Sequence, residues 1–138
     1  MKVTEIPFNK YIGMEAGEDG TLMLGESAGL LNHLGTLHAS AQFALAEAAS
    51  GAFLQERFPH MAGKVVPVVR TSEIKFKRPA NGTLKAQASV SDEAADSFIA
   101  QFDKKRRGLI SVSVDIQDAG GTVTATAKYD WFVQRIEE

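Results

Sequence analysis

Between Ala39 and Gln55 the chain carries one charged residue, Glu47, among Ala, Leu, Phe, Ser, Gln and Gly. The stretch from Leu37 to about Glu56 has no proline and is dominated by Ala, Leu and Phe, so a helix is expected there. Thr36 is the expected N-cap, and Phe58-Pro59-His60 followed by Gly63 the expected end. At about 100° per residue, Ala41, Leu45, Ala48, Ala49 and Ala52 share one face. Glu47 points the other way, beside Ser40, Phe43, Ser50, Gly51 and Leu54. Small or apolar neighbours on both faces predict a covered helix, with a second subunit as the candidate cover, and hence a partly desolvated carboxylate. Desolvation disfavours the ion, so such a group needs a partner or works as a base or nucleophile. The plainer alternative is a solvent-facing Glu on a helix of small residues.

His33 and His38 flank Gly35-Thr36 at the helix entrance, with Asn32 just before them. A histidine at a helix start is more often a structural hydrogen-bonder than a catalyst. The two are five residues apart with no carboxylate at ligand spacing, which makes zinc improbable and a metal or other cofactor unexpected. The chain has no cysteine, so disulfides, thiolate nucleophiles and Cys-ligated metals are excluded. No Gly-x-Ser-x-Gly elbow occurs, and Ser40 and Ser50 have no evident Asp/His relay, which argues against a serine hydrolase.

Something must hold this helix in place. Residues 6 to 26 are expected to form two strands around Gly17-Glu18-Asp19-Gly20, whose Asp-Gly pair suits a hairpin turn. From Lys64 onward the apolar period becomes two. Ile74 and Phe76 share a face of one strand, and Leu84, Ala86, Ala88 and Val90 a face of the next. Ile110, Val112, Val114 and Ile116 mark a third strand, and Val123, Ala125, Ala127, Tyr129 and Trp131 a fourth. Turns fall at Pro79-Ala80-Asn81-Gly82 and Asp118-Ala119-Gly120-Gly121. The expected architecture is α+β, one domain over residues 1–138. Its meander-like antiparallel sheet has about six strands, and the one long helix lies across the apolar face.

A formal net charge of -2 gives no electrostatic reason to expect nucleic acid. No run approaches the roughly 20 apolar residues of a membrane span, and the first residues lack an apolar leader. Neither nucleic acid nor membrane is an expected partner, and the cytoplasm is the expected compartment.

The run from Asn32 to Glu47, NHLGTLHASAQFALAE, resembles the signature of hotdog-fold thioesterases of the phenylacetate-pathway type. In that family an Asn or Gln precedes a His-Gly-Gly helix start, and an Asp or Glu follows nine residues after the His. Here Asn32 lies six before His38 and Glu47 nine after it. Phe76 to Leu84, and the hairpin from Arg107 through Gly120-Gly121 to Val123, are similar to that family's strand-turn-strand segments, so the resemblance spans most of the chain.

What the resemblance implies is an acyl-CoA thioesterase with the hotdog fold, active as a homodimer or homotetramer with sites between subunits. The family's paired glycines are replaced here by Ala39 and Ser40. The first of these positions supplies a main-chain N–H that polarises the thioester carbonyl, and Ala39 can still present one from the helix N-terminus. Glu47 would act as general base on water or attack directly to give a mixed anhydride. Asn32 would orient the water or the carboxylate, and His38 would hold the helix entrance. Gly35, Ser40, Ser50 and Gly51 are candidates for the substrate surface, and Phe43, Phe53, Leu54 and Met61 for an acyl tunnel. Lys77, Arg78, Arg106 and Arg107 are candidates for the CoA phosphates, although Lys104 to Arg107 also reads as a solvated charge run. Two competing readings follow from the same residues. One is a non-catalytic hotdog module that senses or carries acyl-CoA. The other, on the strength of Phe58-Pro59-His60, is a hotdog dehydratase or hydratase.

Overall fold

The structure, a computed structural model, describes residues 2–136. A 3-10 turn (Val3–Glu5) leads into α1 (Pro7–Tyr11), then β1 (Glu15–Ala16), β2 (Leu22–Leu24), a 3-10 turn (Ala28–Leu30) and the long helix α2 (Ala39–Arg57). After a further 3-10 turn (Pro59–Met61) come β3 (Val65–Phe76), β4 (Leu84–Ser89), α3 (Asp92–Lys105), β5 (Arg107–Gln117) and β6 (Val123–Arg135). The strands form one antiparallel sheet in the order β1-β2-β4-β5-β6-β3. β4, β5 and β6 make a meander, but β3 lies outside β6 as an edge strand, so the sheet is not a meander throughout.

α2 lies on the apolar face of the sheet. Leu45 on the helix and Leu84, Val112, Ile116 and Ala125 on the strands are each 0% exposed. Fully burying a Leu or Val is worth about 1.5–3 kcal/mol. The run of Ala41, Ala48 and Ala49, all buried, lets the helix axis approach the strands closely.

Two segments depart from the sequence expectation. Within residues 6 to 16, Pro7–Tyr11 form helix α1, because Pro7 presets the first helical φ, and only Glu15–Ala16 is strand. The hairpin turn after it forms as expected, with Gly20 at φ +83°.

The second departure is α3, a 14-residue helix in a stretch between Val90 and Ile110 for which the alternating pattern gives no element. Ser91 caps it by accepting from the Ala94 N–H (3.1 Å), and Asp92 and Glu93 at its start with Lys104 and Lys105 at its end complement the helix dipole. Arg106 stops it in the left-handed region at φ +59°, its N–H bonded to the Phe102 carbonyl (2.8 Å). Phe98 of α3 meets Phe58 at the end of α2 (ring centroids 5.1 Å apart), so α3 covers the sheet where α2 stops.

Candidate functional site

The entrance of α2 is capped by His38 and not by Thr36. The His38 Nδ1 accepts from the Ser40 N–H (2.9 Å). Thr36 instead works one turn earlier. Its N–H donates to Asn32 Oδ1 (3.0 Å) and its hydroxyl accepts from Asn32 Nδ2 (2.9 Å), while Leu34 N–H also donates to Asn32 Oδ1 (2.9 Å). Asn32 therefore spends its Oδ1 and one of its two Nδ2 hydrogens on shaping the entrance loop. That loop also contains Gly35 at φ +77°, exposed and away from the helix face that bears Glu47.

The division of the first-turn amides is the important consequence. Ala41 and Gln42 N–H both donate to the His38 carbonyl (3.0 and 3.1 Å), and Ser40 N–H is taken by the His38 ring. Among the described residues nothing accepts from the Ala39 N–H. It remains an open donor at the positive end of the helix dipole.

Ala39 and Glu47 line one cavity of about 480 Å³. Its helix wall is the stripe Ala39, Ser40, Phe43 and Glu47, and Ile74 and Phe76 of β3 face it. Phe8 of α1 closes one side. Glu47 is half-buried, and burial pushes its carboxyl above the ordinary range. Tyr129 on β6 is raised as well, by burial and then by the Glu47 charge, so its hydroxyl stays protonated.

Two side chains of β6 set the rotation of α2 and with it the direction of Glu47. Tyr129 Oη donates to the Phe43 carbonyl (2.9 Å), the helical acceptor one turn before Glu47. Trp131 Nε1 donates to Ser50 Oγ (2.9 Å), and Ser50 Oγ donates to the Glu47 carbonyl (2.6 Å). Ser50 is thus wholly buried with its hydroxyl committed, which removes it from the candidate substrate surface. Gly51 is different: a Cβ there would lie 3.3 Å from the Trp131 ring, so any larger residue crowds the indole by a few tenths of an ångström.

The four candidate phosphate contacts are divided. Lys77 and Arg78 N–H bond the Thr124 carbonyl at the start of β6, next to the turn that the Leu37 N–H to Ala80 carbonyl bond (2.9 Å) fastens to the α2 entrance. Arg107 pairs with Gln134 at the other end of β6, ten residues or about 33 Å away. Within one chain, only Lys77 and Arg78 stand at the end that carries Ala39. His60 is exposed on the 3-10 turn after α2, against the Phe58 ring, and does not line this cavity.

The sequence signals did not single out Phe8, Ile74, Tyr129 or Trp131 for the site. The aromatic pair at alternate positions of β6 was the legible sign that something on the sheet reaches the helix.

The profile of DUF4442, a domain of unknown function, matches residues 14–133. The chain belongs to the DUF4442 family. No curated protein sequence matches it. This DUF4442 chain has the hotdog fold, and solved structures share that fold along nearly its whole length. A Pseudomonas aeruginosa protein of unknown function, described as a "probable thioesterase", is 24% identical with a TM-score of 0.81, covering 97% of this chain and 91% of its own. A Haemophilus influenzae thioesterase is 16% identical at TM-score 0.76, covering 99% and 88%. A Bacillus halodurans protein solved with CoA is 21% identical at TM-score 0.70, covering 91% and 74%.

Proposed function

We propose that the chain hydrolyses acyl-CoA thioesters at a site shared by two copies, with the Ala39 N–H of one copy polarising the carbonyl and Glu47 of the other acting at its carbon. One observation carries this reading. The residue whose first-turn amide the cap leaves open lines the same cavity as a half-buried carboxylate whose pKa is raised. An open amide at a helix start stabilises a developing oxyanion, and a carboxylate of raised pKa is a stronger base towards water. The thioesterase and CoA-bound neighbours support the substrate class.

The spacing of the two groups supports a second copy. Ala39 and Glu47 are eight residues apart, about 12 Å along the axis. That separation favours a carbonyl held on one Ala39 N–H meeting the carboxylate of another copy. β3 is a 12-residue edge strand exposing Val66, Val68 and Phe76, the kind of edge on which a second copy adds its own strand. A homodimer built there brings two α2 helices side by side over the joined sheet, and further pairing gives a homotetramer. Asn32 acts by shaping the entrance, and Lys77 and Arg78 receive the CoA phosphates.

The competing reading is a non-catalytic acyl-CoA-binding module, favoured by the Ala39 and Ser40 side chains that stand in the cavity wall. Thiol release from a panel of acyl-CoAs separates the two. Hydrolysis by the parent, a loss of roughly 10²–10⁴-fold in Glu47→Gln and retained binding in that variant support the enzyme. Binding without thiol release in both proteins supports the module.

A further inference from the structure

A second cavity, of about 430 Å³, lies along the same helix on the other side of Glu47. Its walls are Gly51 and Leu54 of α2, Phe58 and Met61 after it, Trp131 of β6 and Phe98 of α3. Ile6 and Asn9 of the N-terminal segment close it, and Asn9 Nδ2 is already spent on the Val3 carbonyl (2.9 Å). Among the described residues the only carboxylate in the lining is Glu47, which it shares with the cavity that holds Ala39.

We infer that this chamber receives the apolar tail of the acyl group, and that its occupant is an unbranched aliphatic acyl chain of medium length. The inference rests on the thioesterase reading and adds the substrate class to it. Three features support it. The chamber begins at Glu47, where the reacting carbon must lie. It is elongated: Glu47 to Phe58 spans eleven residues, about 16 Å of helix, more than an aromatic acyl group fills. At roughly 30 Å³ for a group the size of water or methylene, its volume accommodates on the order of ten chain carbons. The glycine at position 51 keeps the Trp131 ring against the helix, so that the indole forms a side wall and leaves the length open. Phe98 belongs to α3, so the closed end is furnished by the helix that packs beyond α2.

Trp131 is the only tryptophan in the chain, which gives a readout independent of turnover. A non-hydrolysable thioether, S-(6-bromodecyl)-CoA, places a contact quencher part-way along the chain, opposite the indole wall. Saturable quenching of Trp131 is expected, with little from the S-(2-bromoethyl) analogue. In hydrolysis, kcat/KM is expected to rise about fourfold per methylene up to roughly ten carbons. Leu54→Phe should lower the decanoyl-to-butanoyl activity ratio at least tenfold, and Met61→Ala should move the optimum to longer chains. Bromodecyl binding without quenching, no bromodecyl binding, or phenylacetyl-CoA outrunning decanoyl-CoA would each overturn the assignment while leaving hydrolysis intact. Quenching in a protein that hydrolyses none of the panel would instead sustain the chamber and remove the thioesterase reading.

Discussion

At the scale of single residues the account turns on one amide and one carboxylate. Ala39→Pro tests the amide with little disturbance. Position 39 is the first of α2, where proline's fixed φ fits and its missing N–H removes no helical bond. His38 before it sits at φ -63°, ψ 143°, the conformation a residue preceding proline favours. The expected result is an unchanged melting temperature with kcat lowered about 10²–10³-fold, the usual cost of one oxyanion donor. Glu47 is tested by pH. Its folded pKa is raised by burial, so activity that needs the ion falls, on acidification, through a pKa above the ordinary carboxylate range. The same shift means the folded state holds this proton more tightly than the unfolded state, so its stabilising contribution is present at low pH and lost as pH rises through the folded value. Glu47→Gln should therefore melt higher than the parent, by a margin that is larger at pH 8 than at pH 4 in paired thermal scans. An equal margin at both would show that the carboxylate is not desolvated.

At the scale of elements, α2 and β3 to β6 are legible in the sequence because their periods are long and distinct. The Ala/Leu face of α2 and the alternation of Ile110 to Ile116 each fit one secondary structure only. Residues 6 to 16 were not legible as helix, since a five-residue helix offers barely one turn of pattern and short apolar runs fit either period. α3 did carry a signal. Ala95, Phe98, Ile99 and Phe102 follow helical spacing behind a Ser91 cap, but the flanking strands suggest a continued meander that hides it. The carboxylate of the site could be read from Glu47 standing alone on an apolar helix. The Ala39 amide came only from the family resemblance, and the cap that spares it could not be read, because it depends on the His38 ring, and not Thr36, reaching Ser40. The packing of α3 has its own test. A Cβ at Gly108 would lie 3.0 Å from the Phe98 ring and 3.3 Å from Gln101 Cβ, so Gly108→Ala crowds the contact of α3 with β5. A loss of about 1–3 kcal/mol is expected in urea unfolding, and no loss would show that α3 is not held there.

At the scale of the whole molecule, no helix among the described residues is long and apolar enough to cross a membrane, and the exposed apolar surface is concentrated instead at the β3 edge and the N-terminal segment. Both border the Ala39–Glu47 cavity, which is what an assembly with its sites at the joint requires. The central claim, a site made of Ala39 from one copy and Glu47 from the other, is tested most directly by hybrid dimers. Ala39→Pro and Glu47→Gln, each inactive alone, are refolded together in equal amounts and assayed for thiol release from an acyl-CoA. Half the dimers are then mixed, and each mixed dimer rebuilds one of its two sites, so about a quarter of the parent activity should return. No recovery on mixing, or full activity in either variant alone, would contradict the account.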